Sequence, residues 1–221
     1  MATNRYQLVI GNKTWSSWSL RPWLAMQASS LPFDEISIPL RQPETKAAIL
    51  RYSPSGFVPL LIDGDTLVWD SLAIMEYLAD AHPEARLWPS DRKDRALARC
   101  AAAEMHSGFK ELRSVCPMDV LASAPLDPVP EAVENDVRRI VALWRQCRAT
   151  DAAKAGPFLF GSFTAADAMF APVASRFRTY LPDLKRFGDD GTAAAYIDAI
   201  FAMPEMQRWL DGARAEVAAA S

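Results

Sequence analysis

The stretch Thr14-Trp15-Ser16-Ser17-Trp18-Ser19-Leu20-Arg21-Pro22 lies between two different periodicities. Before it, Tyr6-Gln7-Leu8-Val9-Ile10 has the short apolar character of a strand. After it, Leu20, Trp23, Leu24, Gln27 and Ala28 recur at helical spacing. Hydroxyls therefore collect where a strand hands over to a helix. Serine is a favoured N-cap because its oxygen accepts from amides that lack a helical partner. Pro22 suits an early turn, where its missing N–H is not needed. Ser16 and Ser17 thus have two readings. They cap the helix, or one hydroxyl points into an anion site at its positive end.

Working outward, residues 5–10 form a first strand and residues 17–29 a first helix, which Leu31-Pro32 breaks. Phe33 to Ile38 alternates as a second strand. A helix between two short strands is a βαβ unit, so these strands run parallel through a right-handed crossover. Gln42 to Arg51 reads as a weaker helix and Tyr52-Ser53-Pro54-Ser55-Gly56 as a loop. Val58 to Ile62 is a third strand, Asp63-Gly64 a hairpin signal and Thr66 to Trp69 a fourth strand. Asp70-Ser71 caps a helix with Leu72, Met75, Leu78 and Ala79 on one face, and His82-Pro83 ends it. The order β-α-β-α-β-β-α over residues 1–83 is a thioredoxin-like α/β layout. Pro59 is out of place in it, because proline withholds a ladder donor. A cis Val58–Pro59 bond would resolve this and turn a backbone edge outward; a trans proline on an edge strand is the alternative.

Residues 84–92 read as a linker, and residues 93–221 as an all-helical domain. One long helix is expected from Asp91 to Val115, with a bend or end at Pro117. A loop with three prolines follows, from Leu121 to Pro130. A second long helix is expected over residues 131–153, with Val133, Val137, Ile140, Val141 and Trp144 near a 3.6-residue period. Thr164-Ala165-Ala166-Asp167 is a capping box in which Asp replaces the usual Glu. It opens an apolar helix bent near Pro172. Helices at residues 192–202 and 204–217 complete the chain.

Composition narrows the function classes. The 221 residues are 50% hydrophobic and 23% charged, with a net charge of −3 and no long run of one sign. Neither nucleic acid nor an anionic membrane surface is indicated as a partner. No apolar run approaches the roughly 18 residues of a membrane helix, and Met1 to Arg5 leads into no signal-peptide core, so a cytoplasmic location is expected. Cys100, Cys116 and Cys147 are scattered and odd in number, which argues against a disulfide framework. The two histidines, His82 and His106, have no ligand-spaced companions, so no metal is expected.

Four features in this order resemble the cytosolic glutathione S-transferases over nearly the whole chain. They are the turn at Ser16-Ser17, Val58-Pro59 before a strand, Asp70-Ser71 opening Leu72-Ala73-Ile74-Met75-Glu76-Tyr77-Leu78, and the Thr164–Asp167 box. The turn is closest to the zeta-like serine classes, with their Ser-Ser-Cys-Ser-x-Arg pattern. The resemblance implies glutathione as co-substrate, a small hydrophobic electrophile, no metal and a homodimer. It implies that Asp70 meets the γ-glutamyl ammonium, that Ser71 meets its carboxylate, and that Val58, before Pro59, pairs with the cysteinyl backbone. Ser16, with Ser17 one register away, would donate to the thiolate. An unperturbed thiol has a pKa of about 8.5, and lowering it by roughly two units takes about 2.7 kcal/mol. A hydrogen bond to a charged group supplies about 1.5–3 kcal/mol, and a helix N-terminus about 0.3–1 kcal/mol. No general base is then required.

Arg21 either supports this site electrostatically or is a solvated helix-face charge. Trp18, Met105, His106, Phe109 and Arg113 are candidate walls for the electrophile, with helix packing as their other reading. Asp167 and Thr164 are expected to be structural. Trp18 replaces the cysteine of the zeta pattern, which weakens the case for maleylacetoacetate isomerisation. Gly56-Phe57 stands where relatives carry a Lys or Gln, leaving Lys46, Arg41 and Arg51 as cations for the glycyl carboxylate. The rival activities are glutathione-dependent isomerisation or dehalogenation. The rival class is a non-catalytic binding protein on the same fold.

Overall fold

The structure, a computed structural model, describes residues 6–220. Arg5, read from sequence as the head of the first strand, and the Met1–Arg5 start lie outside the described residues. The α/β part runs β1 (Tyr6–Gly11), α1 (Ser17–Ala28), β2 (Phe33–Ile38), α2 (Thr45–Leu50), β3 (Leu60–Asp63), β4 (Thr66–Trp69) and α3 (Ser71–Ala81). Its sheet has the order β2-β1-β3-β4, with β1 and β2 parallel and the other two pairings antiparallel. The Asp63-Gly64 turn joins β3 to β4, and Gly64 takes a left-handed φ of 57°.

Nine helices are described in all, and the helical part supplies six of them: α4 (Arg92–Ser107), α5 (Lys110–Val115), α6 (Glu131–Arg148), α7 (Ala165–Tyr180), α8 (Thr192–Ala202) and α9 (Pro204–Ala220). The main buried cluster runs without a break from Leu8 and Leu24 through Met105 and Trp144 to Trp209. Helix α7 is almost wholly buried along its length and packs on α1 and α4. Two parts of the chain thus share one core. No helix among the described residues is long and apolar enough to cross a membrane.

The element order agrees with the sequence reading, and the departures have local causes. The expected single helix from Asp91 to Val115 is two. Gly108 ends α4, a Cβ there would lie 2.7 Å from the Glu104 carbonyl, and Phe109 takes a left-handed φ of 54°. Helix α6 stops at Arg148, not at residue 153. The Arg148 guanidinium reaches the carbonyls of Ala153, Gly156 and Phe158 and folds the following segment back as a 3₁₀ turn. Helix α2 is shorter than expected because Thr45 Oγ1 accepts from the Gln42 amide and donates to the Pro39 carbonyl, holding residues 39–44 as a turn. Pairing of β3 begins at Leu60, after the proline. The Val58–Pro59 bond is cis, as is Asp127–Pro128, which the sequence reading did not foresee.

Candidate active site

A cleft of about 230 Å³ opens where the two parts of the chain meet. It is lined by Trp18 of α1, Val58 and Pro59 ahead of β3, Asp70 and Ser71 at the head of α3, and His106 from the last turn of α4. The four residues expected to hold glutathione therefore lie together, with two of the five expected to meet an electrophile. Ser55, Phe57 and Trp69 complete the lining, and Phe57 is 70% exposed.

Asp70 carries the sharpest backbone departure in this cleft. Its φ is 76°, a region that costs a non-glycine residue energy and that persists at sites the surrounding structure over-determines. Its Oδ1 accepts from the Leu72 amide at 2.8 Å, capping α3. Its Oδ2 lies 3.2 Å from His106 Nε2. The carboxylate thus serves a helix cap and a histidine from the other part of the chain. Ser71 follows, buried, with Oγ accepting from Arg21 Nη1–H at 3.2 Å.

Arg21 is 1% exposed, so the solvated-charge reading is excluded. Burial, then the guanidinium charges of Arg176 and Arg113, hold its pKa down to about 9, against an opposing pull from Asp70. Trp18 stacks on Arg21 with 4.0 Å between the guanidinium carbon and the ring centroid. Arg113 lies 5.1 Å from the same ring. The indole replacing the zeta-class cysteine is thus held between arginines and the cleft, with His106 edge-on at 5.4 Å.

Ser16 and Ser17 do not line this cleft. Ser16 stands at the N-cap of α1 but forms no capping bond there. Its hydroxyl donates to Ser19 Oγ at 2.7 Å, and Ser19 Oγ also accepts from the Gly11 amide at 3.0 Å. Of the two readings, side-chain capping is not seen at Ser16: its hydroxyl is tied through Ser19 to the end of β1, not to the amides of α1. Ser19 was not singled out from sequence, although it belongs to the same hydroxyl run. The C-terminal helix also fixes this loop. Glu216 accepts from the Lys13 amide at 2.8 Å, and Trp209 Nε1–H donates to the Lys13 carbonyl at 2.8 Å.

Two of the five expected electrophile walls are corrected to core. Met105 is fully buried and Phe109 nearly so, because the face of α4 and α5 that carries them packs inward. Arg113 donates to the carbonyls of His106 and Gly108, closing the end of α4. Thr164 and Asp167 form the expected capping box inside the helical part, away from the cleft. Of the three candidate cations, Lys46 contacts a residue of the cleft, Phe57. Its Nζ donates to the Gly56 carbonyl at 3.1 Å and sits 4.8 Å from the Phe57 ring. Arg41 lies over Trp15 instead, at 4.4 Å.

Among the described residues no cluster of His, Cys, Asp or Glu is arranged to hold a metal ion. The thiols of Cys116 and Cys147 are pushed up by burial, to about 11 and about 12.

The chain thus joins a thioredoxin-like domain to a helical domain, with a cis-proline and a capped helix facing one cleft. Residues 15–81 match the glutathione S-transferase N-terminal domain, and residues 127–214 match the glutathione S-transferase C-terminal domain. The chain belongs to the glutathione S-transferase family. It is 31% identical over 120 residues to glutathione S-transferase 1 of Dianthus caryophyllus, covering 54% of this chain and 53% of that protein. It is 29% identical over 118 residues to a zeta-class glutathione S-transferase of Euphorbia esula, covering 52% of each. The chain spans about half the length of these curated relatives. Among solved structures it is similar to a glutathione transferase homologue from Burkholderia gl BGR1 with bound glutathione. The TM-score is 0.70 and the identity 22%, over 95% of this chain and 97% of that one.

Proposed function

We propose that the chain is a glutathione transferase, which ionises the glutathione thiol and adds it to small hydrophobic electrophiles. The observation that carries this is the convergence of Val58-Pro59 and Asp70-Ser71 on one cleft. Asp70 offers a carboxylate to the γ-glutamyl ammonium. Ser71, at a helix N-terminus, offers donors to the neighbouring carboxylate. The backbone of Val58 pairs with the cysteinyl unit by strand addition. The thiol then lies toward the start of α1, where Ser16 or Ser17 donates to the thiolate. Ser16 must turn from Ser19 to do so. The electrophile enters beside Trp18 and His106, and the negative charge needed for attack resides on glutathione sulfur. The family homodimer would cover the exposed apolar side chains Leu50, Phe57, Leu67 and Trp69, and the protein would work in the cytoplasm.

Conjugation of glutathione to an activated aryl halide, followed with saturating glutathione, tests the activity. Turnover is expected for apolar electrophiles. Tight glutathione binding with no turnover across a panel of such electrophiles leaves a binding protein instead.

Lys46 is the cation for the glycyl carboxylate in this reading. Lys46→Met is expected to weaken glutathione by about tenfold, the loss of one charge-assisted contact. Glutathione carrying a glycinamide in place of glycine, which lacks only that carboxylate, should bind the variant and the unaltered protein alike. Calorimetric titration of both ligands reads the difference, and equal weakening of both would contradict the assignment.

A further inference from the structure

The loop that carries Ser16 and Ser17 is anchored by the helical part of the chain. Within the loop, the Asn12 carbonyl accepts from the Trp15 amide at 3.2 Å and from the Ser16 amide at 2.8 Å. The backbone groups between them are held from outside. Glu216 of α9 accepts from the Lys13 amide through both carboxylate oxygens, at 2.8 and 3.1 Å. Trp209, earlier on α9, donates to the Lys13 carbonyl at 2.8 Å. The Val120 amide donates to the Thr14 carbonyl at 3.2 Å. Between Trp209 and Glu216 stands Gly212, where a Cβ would lie 2.5 Å from Lys13 Cδ. Glycine weakens a helix interior, so its place here has a packing reason: α9 lies directly on Lys13. The Lys13 side chain is buried, pairs with Glu35 of β2, and sets its ammonium 5.6 Å from the centroid of the Trp209 ring.

We propose that Glu216 is a positioning residue for the Ser16-Ser17 turn: by holding the Lys13 amide it fixes the loop backbone at the place from which a serine hydroxyl reaches the thiolate. This rests on the reading that one of these serines donates to glutathione sulfur. Glu216 does not line the cleft, so it acts through the loop. With the backbone of residues 12–14 held, a side-chain rotation is what Ser16 needs to leave Ser19 for the cleft. With the Lys13 amide released, the turn drifts. A catalytic group has to be held within about 0.5 Å of its working position, and a hydroxyl that strays further gives up its bond to the charge.

The test is the pH midpoint of the thiolate absorbance of bound glutathione, read at saturating glutathione. In Glu216→Ala the midpoint is expected to rise by about one pH unit, a roughly tenfold loss of thiolate at equal pH. Glu216→Gln still offers a carbonyl to the Lys13 amide, so it is expected to keep most of the original midpoint. S-Methylglutathione has no thiol to ionise and is expected to bind all three proteins alike, because Val58, Asp70 and Ser71 are untouched. A merely structural role lowers the melting temperature and leaves the midpoint where it was, and an unmoved midpoint in folded Glu216→Ala overturns the inference. A glutamine variant shifted as far as the alanine one overturns it too, as does weakened S-methylglutathione, since Glu216 would then shape the whole cleft. Should the alanine variant not fold, Glu216→Asp, one carbon shorter, is read in its place, and an unmoved midpoint overturns the inference equally. No thiolate absorbance in the unaltered protein removes the serine reading and the inference with it.

Discussion

Replacing Asp167 with alanine is expected to lower the melting temperature by about 10 °C. The carboxylate is fully buried and accepts three hydrogen bonds. These come from the Leu159 amide at 2.9 Å, the Thr164 amide at 2.8 Å and the Thr164 hydroxyl at 2.8 Å. Alanine leaves these donors unpaired in the core, at about 1–3 kcal/mol for each stranded group. The box also orients the first turn of α7, the helix on which α1 and α4 pack. A net loss of roughly 3–5 kcal/mol follows, and each kcal/mol moves the transition of a protein this size by about 2–4 °C. Differential scanning calorimetry measures it. A change under about 2 °C would show that the box is dispensable.

The same residue makes stability depend on pH. Burial pushes its pKa up from 3.8 to about 6, against the pull of its hydrogen bonds. The native state therefore holds this proton more tightly than the unfolded chain. This contribution is fully present below pH 3.8 and is lost as pH rises to about 6. Over that window it amounts to about 3 kcal/mol. Asp167→Asn carries no such proton. The difference in stability between the unaltered protein and Asp167→Asn is expected to move against the former from pH 4 to pH 6 and to be flat above it. Parallel profiles would contradict the shift.

Asp70→Asn is expected to weaken glutathione by about tenfold to a hundredfold while leaving the fold intact. Asparagine is a good N-cap and can accept from the Leu72 amide as Asp70 does. It also tolerates a positive φ better than most residues, which the 76° at this position requires. Only the charge is removed. Asp70→Ala, by contrast, loses the cap as well, at about 1 kcal/mol. Titration calorimetry with the asparagine variant separates the two effects. Unchanged affinity in a folded variant would move the ammonium away from Asp70.

The strands and their succession along the chain were legible because strand and helix periods differ within a few residues, and because Asp63-Gly64 marks a hairpin. The Thr164–Asp167 box was legible because its spacing is itself the chemistry. Helical spacing alone did not say which side of α4 faces the α/β part, so Met105 and Phe109 read equally well as cleft or as core. The break at Gly108-Phe109 was hidden, since a lone glycine is tolerated in a helix and an aromatic residue rarely takes a left-handed φ. Arg21 read equally well as a support for the site or as a solvated helix-face charge. Its burial depends on Trp18, three residues back, and on Ser71, fifty residues on. The grip of Glu216 on Lys13 joins the two ends of the chain and has no local signal.

Thiol ionisation is the central claim, and the ultraviolet difference absorbance of bound glutathione reads it directly. At neutral pH the unaltered protein is expected to show a thiolate band at saturating glutathione. Ser16→Ala or Ser17→Ala is expected to abolish it while the other retains it, which names the serine. Saturating binding without a thiolate band in the unaltered protein would contradict the account.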